Sequence, residues 1–164
     1  MYMKKLSIAV ALLLAATFTF AQDSYTAEQE GWLVSLEEAY QESQKTGKPI
    51  MANFTGSDWC GWCKKLSAAV FVKPEFKEWA AENVVLLELD FPRRKQLPQE
   101  IREQNYSLQK SFGVRGYPTI WVFNLEKDKK SGQFSIEALG KTGYRPTVKE
   151  FTSGVDQMIT KSKG

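Results

Sequence analysis

The chain contains no histidine, and that absence removes several kinds of chemistry at once. A Ser-His or Cys-His nucleophilic pair needs an imidazole base. A structural zinc site normally takes four Cys or His ligands, and only two cysteines are present. Copper carriage through a Cys and His set meets the same objection, so no metal site is expected. An excess of one charge is also missing: 22 Lys+Arg stand against 19 Asp+Glu in 164 residues. Such a balance gives no electrostatic footprint for nucleic acid or for an anionic membrane surface. The short run "PRRK" at 92–95 reads as a solvated loop. No internal repeat or low-complexity linker is present. With 43% hydrophobic and 25% charged residues, the composition is that of one ordinary globular domain, not of a disordered chain.

Only one long apolar run occurs, "LSIAVALLLAATFTFA" at 6–21, preceded by Lys4 and Lys5. A basic start, an apolar stretch and small residues at its end form the pattern of a secretory signal peptide. Thr19 and Ala21 fit the positions before a cut, which makes Gln22 the expected mature N-terminus and 22–164 the folded domain. The alternative, an uncleaved anchor, is disfavoured because about 16 residues fall short of the roughly 20 that a spanning helix needs. No stable membrane insertion is expected after cleavage. Removing Lys4 and Lys5 leaves 20 basic against 19 acidic residues.

Residues 22–30 read as polar and frayed. Leu36, Ala39, Tyr40 and Ser43 recur at helical spacing, with Ser35 and Glu38 as a capping box and Gly47 as a stop. "PIMANF" (49–54) reads as a buried strand. Cys60 opens a helix whose inner face is Cys63, Leu66, Ala69 and Val70, and Pro74 opens another over 74–83. "VVLLEL" (84–89) has the near-continuous apolarity of a strand covered on both faces. A charged loop with some helix is expected over 91–104, then a short helix in "YSLQKSFGV". Strands are expected at 119–124 and 133–139, and a last helix is capped by Thr147 and Glu150. Helices alternating with strands, then a hairpin and a helix, predict a three-layer α/β/α sandwich with a mixed central sheet.

Both cysteines lie in "SDWCGWCKK" (57–65), where three readings compete. As a structural clip, a Cys60–Cys63 bond closes four residues and yields only about 2 kcal/mol before strain. As half of a metal site it lacks partners. As a redox pair, each position has a task. Cys60, in the first turn of a helix, meets unpaired N–H groups and the positive end of the helix dipole, which favour a thiolate. Cys63, one turn on, faces inward and can attack a mixed disulfide on Cys60. The redox reading is preferred. It predicts an exposed attacking sulfur and a sheltered resolving one, with no cofactor beyond the Cys60–Cys63 disulfide.

"WCGWCKKL" resembles the "WCGPCK" active site of thioredoxins, and "FGVRGYPT" (112–119) resembles their "YGIRGIPT" stretch. The resemblance spans roughly residues 48–160. It is nearest to secreted thioredoxin-like interchange proteins with a "GSDWCGWCKK" site and a "DFPRRK" loop. It implies a thioredoxin fold, a cis bond between Tyr117 and Pro118, and Gly143 as the glycine that leaves room for substrate. It also implies that Trp59, Gly61, Trp62, Gly116, Tyr117, Pro118 and Thr119 line a substrate groove. Two departures stand out. Asn53 occupies the place of the family's buried aspartate, leaving Glu88, Asp58 or water to take the proton from Cys63. Trp62 replaces the proline of thioredoxins and the histidine of isomerases. An uncharged residue there predicts a potential between strong reductants and strong oxidants. Trp62 is expected to be exposed and to touch substrate, Trp59 to pack across the helix start, and Lys64 to aid the Cys60 thiolate.

Together these observations predict a monomeric periplasmic or secreted thiol-disulfide oxidoreductase. Its partners would be protein or peptide disulfides and an electron donor that the sequence does not reveal. Reductase or isomerase work is favoured over net oxidation. A non-catalytic peptide-binding module is the rival from another class.

Overall fold

A computed structural model describes residues 25–161; the expected leader, with its cut after Ala21, lies outside them. Two patterns of spacing organise these residues. Helix α1 (Leu36–Thr46) begins where the Ser35 hydroxyl accepts the Glu38 N–H at 3.3 Å. It ends at Gly47, whose φ of 70° is left-handed and whose N–H donates to the Ser43 carbonyl at 2.8 Å. Strand β1 (Ile50–Thr55) is buried along its whole length. Strand β2 (Val85–Asp90) runs parallel to it, with Asn53 beside Glu88 and Thr55 beside Asp90. Strand β3 (Thr119–Lys127) is antiparallel to β1, and β4 (Phe134–Thr142) is antiparallel to β3. The sheet order is β2-β1-β3-β4.

Because side chains alternate along a strand, each face of this mixed sheet carries its own core. Ile50, Ala52 and Phe54 join Leu87, Leu89 and Phe123 under α1 and α4 (Gln99–Ser111). On the other face, Met51, Ile120 and Val122 pack against α2 (Gly61–Leu66), α3 (Pro74–Asn83) and α5 (Val148–Lys161). Phe71, Phe76 and Phe151 meet there edge to face or tilted, with centroids 5.0 to 5.9 Å apart. Fully burying such a ring is worth about 1.5–3 kcal/mol. The result is the expected three-layer sandwich. A single turn of π-helix (Ser67–Phe71) continues α2.

The same alternation puts Asn53, Thr55, Glu88 and Asp90 on the α2 side, at the carboxyl ends of β1 and β2. This is the polar floor on which the cysteine-bearing helix starts.

Three expectations require correction. The segment 25–30 is not frayed: the Glu28 N–H donates to Glu88 Oε1 at 3.1 Å, and Gln29 Nε2 donates to Ser67 Oγ at 2.6 Å. Just beyond it Leu33 forms a parallel bridge to Leu87, and Trp32 packs 5.0 Å from the Phe71 ring. Helix α4 runs unbroken from Gln99, where a loop with some helix and then a separate short helix were expected, and two of its inward positions are polar. Gln104 accepts the Leu36 N–H and donates to the Val34 carbonyl, while buried Asn105 donates to the Asp90 carbonyl. Amides that bond to backbone hide a helical stripe from any reading based on apolar spacing. Finally, β3 and β4 both run longer than expected. Asp128 caps the intervening turn by accepting N–H bonds from Lys130 and Ser131, and a register shift between Val122 and Phe123 carries the pairing past Gly140 to Thr142.

Candidate active site

Cys60 is the N-cap of α2, and its sulfur accepts the Cys63 N–H at 3.2 Å. The two cysteines form a disulfide, with Cα atoms 5.3 Å apart. A sulfur so placed receives the hydrogen bond and dipole that favour its anionic form once reduced. The expected contrast in exposure is absent from this oxidised state: Cys60 is 5% and Cys63 6% exposed.

Trp59 stands edge-on to Tyr117, centroids 5.7 Å apart, and its Nε1 donates to the Phe91 carbonyl at 2.8 Å. A Cβ on Gly56 would lie 2.5 Å from the same indole, so only glycine lets Trp59 lie flat over that turn. Trp62 is 56% exposed, as expected, and its ring meets Tyr144 at 5.1 Å. Gly61 and Gly116 are exposed, and the Gly116 carbonyl accepts the Thr119 hydroxyl at 2.8 Å. The Tyr117–Pro118 bond is cis. A Cβ built on Gly143 would sit 3.5 Å from the Pro118 carbonyl oxygen, placing that glycine beside the proline turn. Tyr117 also meets Gln109 through its hydroxyl, and burial, then Tyr106 and Asp90, push the phenol up to about 12. Lys64 is exposed and donates to the Asp58 carbonyl at 3.4 Å, an interaction that turns its ammonium toward the preceding turn.

Asp58 is corrected as a candidate proton acceptor. Its carboxylate accepts the backbone N–H of Arg93 at 3.0 Å and of Arg94 at 2.6 Å. The Arg93 bond first, with those of Arg94 and Lys95, holds it below the usual carboxylate range. Asp58 therefore ties the loop at 91–95 to the cysteine motif, and the Arg93 guanidinium lies 3.9 Å over the Trp59 ring. This anchoring is present above the ordinary carboxylate pKa and is lost as pH falls through the lowered folded value. Asp58→Ala is expected to free the loop, so that trypsin cuts after Arg93 or Arg94 faster than in the wild type. Equal cleavage rates would remove that role from Asp58.

Behind Cys63 lies a cavity of about 300 Å³ lined by Glu28, Gln29, Asn53, Ser67 and Glu88. Asn53 is buried, and its Oδ1 has no hydrogen-bond partner; neither has Oε1 of Gln29. Buried orphan acceptors beside a polar cavity are sites for water. Glu88, 4% exposed, has its carboxyl pushed up to about 8 by burial and then by Asp90. Asp90 is occupied: Ser57 donates to it through N at 2.8 Å and Oγ at 2.5 Å. Ser57, Asp90 and Asn105 had no distinctive signal as site residues. Their part is to brace the motif's first turn against β2 and α4.

A four-stranded mixed sheet with a disulfide at the head of a helix, and a cis-proline turn whose Tyr117 packs on Trp59, defines the thioredoxin-like class. The chain belongs to the family described as "Thioredoxin-like domain", whose model matches residues 36–139. Among curated relatives, it is 36% identical over 115 residues to the disulfide bond reductase DsbH of Chlamydia pneumoniae, covering 70% of this chain and 69% of that protein. It is 26% identical to the thioredoxin-related protein DsbJ of the same organism, over 86% of this chain and 42% of the relative. Among solved structures, a DsbH oxidoreductase aligns with a TM-score of 0.66 at 30% identity, over 79% of this chain and 83% of that one. Thiol–disulfide exchange is the chemistry that these relatives and the CxxC pair support. Among the described residues no group of three or more His, Cys, Asp or Glu is placed to hold a metal ion, and no helix is long and apolar enough to cross a membrane.

Proposed function

We propose that the protein is an extracytoplasmic disulfide reductase or isomerase acting on protein disulfides through Cys60 and Cys63. The observation that carries this is the disulfide at the N-cap of α2, with a backbone N–H on the Cys60 sulfur. Similarity to a protein named a disulfide bond reductase supports the reducing direction. The basic, apolar and small-residue sequence of 1–21 supports export, with cleavage after Ala21.

In the reaction, the Cys60 thiolate attacks one sulfur of a substrate disulfide. The substrate S–S bond breaks, and its second sulfur leaves as a thiolate that takes up a proton. Cys63 loses its proton toward the cavity, where Glu88 or a water on Asn53 accepts it, and attacks the Cys60 sulfur. The substrate departs with two thiols, and Cys60 and Cys63 are left oxidised. Two electrons have passed to the substrate, so turnover needs a dithiol donor. Trp59, Gly61, Trp62, Gly116, Tyr117, Pro118 and Thr119 form the groove in which an extended segment lies. The unit acting is a monomer of 22–164.

Equilibrating the mature protein with defined glutathione or dithiothreitol ratios tests the direction. The expected potential lies between about −270 mV, the value of a strong reductant, and about −120 mV, that of a strong oxidant. A value at the latter end would make the protein a net oxidase.

A further inference from the structure

Overall charge is near balance, but its distribution is not. Four segments frame the disulfide. Residues 57–65 carry it, and 91–95 are tied to it by Asp58. Residues 112–119 reach it through Tyr117 on Trp59, and 141–147 through Tyr144 on Trp62. These segments hold eight Lys or Arg and a single acid, Asp58, whose carboxylate is already spent on backbone N–H groups. From residue 22 onward, the rest of the chain holds 12 basic and 18 acidic residues. The molecule is thus polarised, with its positive end at the redox site.

Two of these charges are held on the tryptophans of the cysteine motif. Arg93 lies over Trp59 at 3.9 Å, and Lys65 over Trp62 at 4.4 Å. Arg115 directly precedes Gly116-Tyr117-Pro118, and Arg145 follows Tyr144. Lys64, Lys65, Arg93, Arg94, Arg115 and Arg145 are all exposed. Ion pairs among the described residues engage Lys45, Lys95 and Lys127, and none of these six. Of the further acids near the site, Glu28 is the one paired with Lys95, while Glu88 and Asp90 are buried beneath it. Unpaired cations converging on a groove raise the local concentration of an anionic partner.

We propose that this face selects disulfide-bonded polypeptide segments whose cystine is flanked by aspartate or glutamate. The inference rests on the function proposed above and names its substrate class. Stacked cations on the two tryptophans flank the reacting bond, so acidic residues one or two positions from the substrate cystine meet a positive group on either side.

The test compares reduction rates of three cystine peptides of equal length, flanked by glutamate, serine or lysine, with an uncharged small disulfide, hydroxyethyl disulfide, as reference. At low salt the glutamate peptide is expected to react about tenfold or more faster than the lysine peptide. The ratio should collapse toward one in molar salt, where the Debye length is about 3 Å. Arg115→Glu with Arg145→Glu should lower the ratio toward one while sparing hydroxyethyl disulfide. Arg115→Lys with Arg145→Lys should keep the ratio. Equal rates for the three peptides, with hydroxyethyl disulfide still reduced, would overturn the substrate class alone. Failure on hydroxyethyl disulfide as well would overturn the underlying function. Equal peptide rates together with binding to phosphatidylglycerol vesicles would reassign the positive face to a membrane surface and sink the proposal.

Discussion

A reduced Cys63→Ser variant mixed with a disulfide substrate is expected to stop at the covalent intermediate. The first step needs a thiolate at Cys60, and what favours it survives the substitution. The hydrogen bond to that sulfur comes from the backbone N–H of residue 63 at 3.2 Å, and the helix start is unchanged. The second step needs a nucleophile within reach of the Cys60 sulfur, and a serine hydroxyl does not attack a disulfide at neutral pH. Turnover should fall to background while mixed disulfides accumulate. Mass spectrometry and a non-reducing gel would read them as species that dithiothreitol dissolves. Cys60→Ser should give none. The reverse pattern, capture by Cys60→Ser alone, would exchange the two roles. The equal burial of both cysteines in the oxidised state gives this experiment its weight, since exposure does not identify the attacker. Helix position does.

Glu88→Gln is expected to change how stability depends on pH. In the folded protein Glu88 keeps its proton to about pH 8, against an ordinary value of 4.5. Between those limits the native state binds the proton and the unfolded state does not, so stability falls as pH rises and levels off above about 8. At 1.36 kcal/mol per unit, the wild type gives up on the order of 5 kcal/mol across that window. Other groups face this carboxyl. Asp90 shares its strand, and Asn53 lies beside it on β1. Cys63 and Lys64 come from α2, and Glu28 donates its N–H from the N-terminal segment. Tyr25 stands near enough that Asp90 and Glu88, after burial, raise its own pKa. Among them, Asp90 is held by Ser57, and Lys64 points to the Asp58 carbonyl. Glutamine does not ionise, and the variant should be the more stable protein at pH 9 and close to the wild type at pH 5. Urea denaturation at both values measures this; parallel loss in both proteins would move the effect to another group. If Glu88 also receives the Cys63 proton, the variant's resolving step should slow and lose its rise toward pH 8.

Those two residues also mark where the sequence was legible. The cysteine pair was plain, because with no histidine and no second pair the rival chemistries lacked ligands. The helix starts at Ser35, Cys60, Pro74 and Thr147 were equally readable, since each is a local rule of one turn. The proton acceptor was harder. Asn53 was found by alignment to a resemblance, yet choosing between Glu88 and Asp58 needed the third dimension. Asp58 sits next to Trp59 in sequence and is spent on the loop at 91–95. Glu88 is distant in sequence and stands beside Asn53 through parallel pairing of β1 and β2. Such pairing is a long-range event that apolar spacing does not encode. Gln104 and Asn105 were illegible for a related reason: a buried amide that bonds to backbone has the composition of a surface residue. The positive end of the molecule does not show in the net charge, which sums over space.

Trp32 and the segment before it carry one more consequence. The family match begins at residue 36, whereas Glu28 and Gln29 wall the cavity behind Cys63 and Trp32 fills the core beneath α3. The stretch that the family model matches is therefore smaller than the unit that folds. Two proteins can share every residue of the recognisable stretch and still differ in the wetness of the chamber behind the resolving sulfur, according to what precedes it. What the family model describes is, in this chain, a room with one wall left to the residues that precede it.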